Sequence, residues 1–343
     1  MKTSRRTRFF APFAGSLVLA SLLFSTTVDA KDYSLLNVSY DPTRELYQEF
    51  NAEFSRYWKE KTGDQIAIKQ SHGGSGKQAR SVIDGLSADV VTLALAYDID
   101  VISKQTGKLP ENWQSQLASN SAPYTSTIVL LVRKNNPKKI HDWADLIKPG
   151  VSVVTPNPKT SGGARWNYLA AYAFAKHAYG SDAAAEEFIS TLFKRVSVLD
   201  TGARAATTTF AQRGIGDVLI TWENEAYLAL NEFGADKFEI VLPSLSIKAE
   251  PPVAVVAANA QKHGVATIAQ AYLEYLYSPQ GQTIIAKHYF RPAKPELISS
   301  AEIPHLPELK LVNINQEFGG WEQVQAKHFK DGGLFDQLYR PRR

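Results

Sequence analysis

The sequence contains no cysteine. That excludes a disulfide, a thiol nucleophile, a cysteine-ligated metal and a lipid-attachable cysteine. Past the N-terminus no run reaches the ~18 uninterrupted apolar residues that a membrane span needs. No histidine pair has His-x-x-x-His or His-Glu-x-x-His spacing, so no helical zinc site is encoded. Asp98 and Asp100 share a D-x-D spacing, but Val101 and Ile102 follow, and no calcium loop fits. There is no internal repeat and no long biased tract. Charge of one sign is also scarce once the first 30 residues are set aside. Of the 38 Lys and Arg these hold Lys2, Arg5, Arg6 and Arg8, and of the 34 Asp and Glu they hold Asp29, leaving a mature net charge of +1. A nucleic-acid binder carries a basic patch, and this balance argues against one. Arg340, Arg342 and Arg343 form only a short terminal cluster, read as solvated.

What is present suits a folded globular protein. The chain has 343 residues, 44% of them hydrophobic, enough for one large domain or two ordinary ones. Residues 1–30 read as a secretory signal peptide: a basic head, an apolar run from Phe9 to Phe24 and a small-residue exit at Val28-Asp29-Ala30. Pro12 and the short run argue against an anchor. Ser4 to Phe9 carries a faint twin-arginine pattern, but the strongly apolar run suits the general secretory route. Cleavage after Ala30 would release a protein into the periplasm.

Strands alternate with helices. Leu35–Tyr40 reads as a buried strand, and Asp41-Pro42 as the N-cap and first residue of a helix with Leu46, Phe50, Phe54 and Trp58 on one face. Gly63 ends that helix; Gln65–Gln70 reads as a strand, Ala79–Leu86 as a helix and Val90–Leu93 as a strand. This βαβαβ order predicts a parallel sheet covered by helices. Tyr124–Arg133 reads as one long strand, after which the alternation restarts. Strands are expected at Val151–Val154, Val196–Leu199, Val218–Thr221, Phe238–Leu242 and Val253–Ala257. Helices are expected at Ala164–Tyr179, Asp182–Phe193 and, interrupted at Ser278-Pro279, Tyr272–His288. The pattern predicts two α/β lobes, residues 31–122 plus 250–343 and an inserted 123–249, with crossings near 121–126 and 248–254. Such an architecture suits a hinge that closes on a ligand.

Three turns stand out between a predicted strand and a predicted helix: Ser71-His72-Gly73-Gly74-Ser75-Gly76-Lys77, Thr160-Ser161-Gly162-Gly163-Ala164-Arg165 and Thr201-Gly202-Ala203-Arg204. A helix N-terminus exposes unpaired N–H groups and the positive end of its dipole, and glycine lets an anion approach the backbone. Such turns are anion sites, or else ordinary capped turns. The first is no P-loop, because Ser71 stands where the first glycine belongs and Gln78 follows Lys77. Nor is it a serine-hydrolase elbow, because Lys77 occupies the last glycine's place. His72, alone in its turn, reads as structural. Glu223 and Glu225 read as adjacent surface carboxylates with no mechanism around them.

Four segments carry a resemblance: Ser39 to Leu46 (SYDPTREL), Gln70 to Gln78 (QSHGGSGKQ), Asn157 to Trp166 (NPKTSGGARW) and Gly216 to Glu223 (GDVLITWE). Together they resemble the periplasmic sulfate-binding proteins of ABC transporters, over about residues 33–339. The resemblance implies the type II periplasmic-binding-protein fold, each lobe a mainly parallel sheet flanked by helices, with sulfate buried between them. It implies no catalysis, no cofactor, a monomer and delivery of sulfate to a membrane permease. Carried over, the donors are the backbone N–H groups of Ser75, Gly162, Gly163 and Ala203, the Ser161 hydroxyl and the Trp222 indole. Asp41, His72 and Arg165 are expected to support the turns without touching sulfate. One departure is visible: Ala205 stands where the family pattern has glycine, and a positive φ there would strain the turn. A set of pure donors suits sulfate, which is fully ionised at neutral pH, whereas protonated phosphate needs an acceptor.

Overall fold

The computed structural model describes residues 1–3, 30–301 and 303–339. The apolar run of the signal peptide and the basic tail from Arg340 lie outside the described residues.

The first sheet grows from β1 (Asp32–Tyr40), α1 (Arg44–Thr62), β2 (Gln65–Gly73), α2 (Ser75–Ile83), β3 (Val90–Thr92) and α3 (Ala96–Thr106). The βαβαβ order gives the expected result: β1 pairs in parallel with both β2 and β3. Leu46, Phe50, Phe54 and Trp58 are the buried stripe of α1, and Gly63 ends it in the left-handed conformation. Asp41 is not the N-cap expected of it. Asp41–Thr43 form a single 3₁₀ turn before α1, and the cap of α1 is Thr43 without a side-chain bond. The Asp41 carboxylate is thereby free to point away from its own helix.

After a left-handed turn, α4 (Ala118–Ser121), the chain crosses over. Tyr124–Arg133 is not one strand but two, β4 (Tyr124–Thr125) and β5 (Ile128–Arg133). The break falls where Ser126 pairs with Ala249 of the returning strand segment, its N–H 3.0 Å from the Ala249 carbonyl. The second unit then runs β6 (Val153–Pro156), α5 (Gly162–Tyr179), α6 (Asp182–Arg195), β7 (Val196–Asp200), α7 (Ala203–Ala211), β8 (Val218–Trp222), α8 (Glu223–Phe233) and β9 (Phe238–Val241). Its sheet order is β7-β6-β8-β5-β9, parallel except for β5, which opposes both of its neighbours.

The return begins at β10 (Ser246–Ile247) and joins the first sheet through β11 (Val253–Val255), antiparallel to β3. Helices α9 (Ala257–Lys262), α10 (Ala266–Tyr275) and α11 (Pro279–Lys287) follow, with the expected break at Ser278, the N-cap of α11. Then come β12 (Arg291–Pro292), paired with β4, and β13 (Leu311–Val312), paired with β10. The last helices, α12 (Ile314–Phe318), α13 (Trp321–Val324) and α14 (Leu334–Leu338), lie against the second unit. Trp321 meets Trp166 edge-on at 4.7 Å, and Phe335 meets Phe193 at 5.2 Å. Among the described residues no helix is long and apolar enough to cross a membrane.

The fold class is the expected one, α/β, with two mainly parallel sheets flanked by helices and joined by paired crossing strands. Parallel strands put their carboxyl ends on one edge, so β1, β2, β6, β7 and β8 all deliver their last residues to the seam between the lobes.

Candidate functional site

Each of the three turns is what its sequence promised, a strand end running into a helix start. Gly74 is extended at the N-cap of α2, Ser161 caps α5 through a 3.3 Å bond from the Ala164 N–H, and Gly202 precedes α7. The first N–H groups of these helices have no carbonyl one turn back to reach. Ala205 lies inside α7, and it is not among the residues with positive φ. The strain considered for it does not arise.

The seam brings the turns together. A Cβ on Gly162 would stand 2.7 Å from the Ala94 Cβ and 2.9 Å from the Ser75 Cβ across the lobes. One on Gly74 would stand 2.5 Å from the Thr160 carbonyl. Only a missing side chain permits this approach of backbone to backbone. Gly163 leans on Trp222, whose indole N–H lies 3.3 Å from the Gly163 carbonyl. Gly163, Ala203 and Trp222 line a common small void. Ser75, Ser161, Gly162, Gly163, Ala203 and Trp222 therefore form one contiguous, buried group. Their chain neighbours Gly74, Gly76, Thr160, Gly202 and Arg204, with Arg165 and Thr201, line from both lobes a larger cleft of about 700 Å³.

Around this group the charges are already committed. The Ser75 hydroxyl donates to the Asp98 carboxylate and accepts the Ala94 N–H at 3.0 Å. Arg165 donates to the Pro158 carbonyl at 3.0 Å and the Gln325 amide oxygen at 3.1 Å, with Asp98 4.0 Å away. Burial raises the Asp98 carboxyl above its ordinary range, against the pull of Arg165 and the Ser75 hydroxyl. His72 faces the Ser39 hydroxyl at 2.6 Å, across β1 and β2. Burial, with Arg44 and Arg204 nearby, pushes its pKa down to about 4, so the ring is neutral at pH 7. The Asp41 carboxylate crosses the seam to the backbone N–H of Arg204; burial raises it, and Arg44 and Arg204 oppose that.

Other participants escaped the sequence. Glu223 and Glu225 are not surface carboxylates; they are 0% and 2% exposed. Glu223 takes two bonds from Arg291, at 2.9 and 2.8 Å, and its N–H meets the Thr127 carbonyl, which pins the residue after Trp222 to the crossing strands. Lys159, just before the second turn, is held by the Phe329 carbonyl, Asp331 and Asp336 of the C-terminal segment. A buried charge needs a partner from another element, and linear spacing does not reveal which.

The model of the family described as bacterial extracellular solute-binding protein matches residues 35–291. The sulfate-binding protein of Escherichia coli K12 is 61% identical over 93% of this chain and 97% of its own. A thiosulfate-binding protein of Pseudomonas aeruginosa is 51% identical over 96% and 98%. Among solved structures, the sulfate-binding protein SubI of Mycobacterium tuberculosis H37Rv superposes with a TM-score of 0.77 at 33% identity, over 87% of this chain and all of that one. A buried seam of helix N-termini between two α/β lobes, with likeness of that extent, places the chain in the family of bacterial extracellular solute-binding proteins, among the sulfate- and thiosulfate-binding members.

Proposed function

We propose that the mature chain captures sulfate in the periplasm and delivers it, as a monomer, to the membrane permease of an ABC importer. The observation that carries this reading is the composition of the buried group. Ser75, Gly162, Gly163 and Ala203 offer backbone N–H groups at the starts of three helices, and Ser161 and Trp222 add a hydroxyl and an indole N–H. The Ser161 oxygen accepts from Ala164, which leaves its proton for an anion. All of these groups are donors, and the Trp222 indole N–H, given to the Gly163 carbonyl at 3.3 Å, turns from it to meet an anion. Of the buried carboxylates beside the group, Asp98 is turned to Ser75 and Arg165 and Asp41 to the Arg204 backbone N–H, so neither is offered to a protonated oxyanion.

The arrangement also explains how a dianion could be buried without a counter-ion. Three helix ends supply the positive potential, each equivalent to about half a charge. Arg165 and Arg204 are occupied by other partners, so the anion meets fixed dipoles and forms no ion pair of its own. Because the donors come from both lobes, the site is complete only when the lobes meet. The units built on the first and second sheets are the two bodies proposed to move, hinged at the Ser126–Ala249 pairing, and the C-terminal helices α12–α14, packed on α5 and α6, go with the second.

Calorimetry on ligand-free mature protein at neutral pH tests the reading. Micromolar or tighter sulfate binding with no phosphate heat is expected, and preference for thiosulfate or phosphate would reassign the ligand. Trp222→Phe, which removes one donor, should weaken sulfate binding by roughly 1.5–3 kcal/mol, about 10- to 150-fold; unchanged affinity would remove the indole from the site. Gly162→Ala should weaken it at least ~10-fold by holding the lobes apart while the ligand-free melting temperature stays within about 2 °C. Affinity equal to that of the unsubstituted protein would show that the seam does not need to close that tightly.

A further inference from the structure

The charges in the seam are committed, but two on the wall of the adjoining cleft are not. That cleft of about 700 Å³ is lined by the cations Lys77, Arg80, Lys159, Arg165 and Arg204 and by the carboxylates Asp41 and Asp98. Three of the cations answer to partners. Lys159 lies 3.0 Å from both Asp331 and Asp336. Arg204 donates to both oxygens of Glu45, at 2.7 and 2.8 Å. Arg165 is held by the Pro158 carbonyl and the Gln325 amide oxygen. The two carboxylates are likewise turned to Ser75, Arg165 and the Arg204 backbone. Lys77 and Arg80 differ. Both are exposed, and neither side chain has a hydrogen-bond or ion-pair partner among the described residues.

Their position follows from the sequence. Ser75, whose N–H is one of the proposed donors, begins α2, and Lys77 and Arg80 stand two and five residues further along it. A separation of three residues puts the two cations side by side on one helix face. Five residues of helix rise only about 7.5 Å, so both charges stay near the Ser75 amide. One helix carries all three groups, and their arrangement is therefore the same whether the lobes are together or apart. An ordinary solvated helix face mixes both signs, whereas α2 (SGKQARSVI) holds no acidic residue.

A cleft wall of one charge sign raises the local concentration of the opposite ion and the rate of encounter. Sulfate, a dianion, feels such a field twice as strongly as a monovalent ion does. The field reaches about 30 Å in 0.01 M salt and only about 3 Å in 1 M salt. It acts on the approaching ion. Once bound among buried backbone donors, the ion is apart from two side chains that remain in water.

We infer that Lys77 and Arg80 steer the anion into the cleft: they raise the rate of capture without holding the bound ion. The inference rests on the anion-capture reading above, and the two fail differently.

Stopped-flow tryptophan fluorescence of the mature protein with inorganic sulfate reads both rates. At about 0.01 M ionic strength, Lys77→Gln/Arg80→Gln should associate roughly threefold to tenfold more slowly than the unsubstituted protein. At about 0.5 M the difference should shrink to within about 1.5-fold. Its dissociation rate should stay within about 1.5-fold throughout. Lys77→Arg/Arg80→Lys keeps the charges and alters the shapes, and should associate at the unsubstituted rate. Arg213→Gln/Lys262→Gln removes the same charge beyond the end of α7 and at the end of α9, outside the cleft, and should leave association within about 1.5-fold. Steering is overturned if Lys77→Gln/Arg80→Gln associates at the unsubstituted rate in low salt. It is also overturned if the loss persists at 0.5 M or falls on dissociation, because the side chains would then touch the bound ion or support the fold. An equal loss in Arg213→Gln/Lys262→Gln would overturn it in favour of net charge. If the unsubstituted protein binds thiosulfate and not sulfate, the sulfate reading fails and the same rates, taken with thiosulfate, decide the steering. Binding of neither overturns both.

Discussion

The close approach of bare backbone across the seam is the constraint on which the rest depends. Three strand ends meet three helix starts, and a Cβ on Gly74 or Gly162 would occupy space already filled by the opposite lobe. Side chains there would hold the lobes apart, and the helix dipoles would face water, where a high dielectric weakens them. With glycine the N–H groups converge in a buried volume, where a donor is worth more and an unmatched acceptor costs more. Fold and selectivity therefore share one cause. The parallel strands aim the turns at one place, and the absence of side chains lets them arrive.

A second theme is the removal of charge from the binding surface. Seven ionisable groups crowd the seam: Asp41, Glu45, His72, Asp98, Arg165, Arg204 and Glu225. The arginines answer to carboxylates or carbonyls, and His72 is held neutral. Glu225, whose pKa burial pushes up to about 7, sits 3.4 Å from the Arg204 guanidinium. Its folded-state pKa is raised above the ordinary carboxyl value, so stability falls as pH rises from that ordinary value to about 7 and falls no further on its account above it. Arg204 reduces that cost, one more reason for a cation at this corner of the seam.

What was legible in the sequence was local. The βαβαβ order, the glycine that ends α1, the Ser278 break and the three turns are written within a few residues each, and the structure has them where they were read. What was illegible was set by distant partners. Tyr124–Arg133 looks like one strand because every residue suits a strand; it divides because Ser126 is claimed by Ala249. Glu223 and Glu225 look like surface acids because nothing beside them in sequence is basic; Arg291 and Arg204 arrive from elsewhere. Asp41 has the sequence position of a cap, yet it faces a helix in the other lobe. The C-terminal helices carry no pattern that names α5 as their neighbour, and contacts such as Trp321 on Trp166 and Phe335 on Tyr168 reveal it.

The most direct test of the central claim is a sulfate titration followed by amide and indole N–H resonances of the isotope-labelled mature protein. The account predicts downfield movement of the Ser75, Gly162, Gly163 and Ala203 amides and the Trp222 indole, all saturating together at one equivalent. Saturating sulfate that leaves these five signals in place, while arginine or lysine side-chain signals move, would contradict it: the anion would then be held by charge and not by the ends of helices.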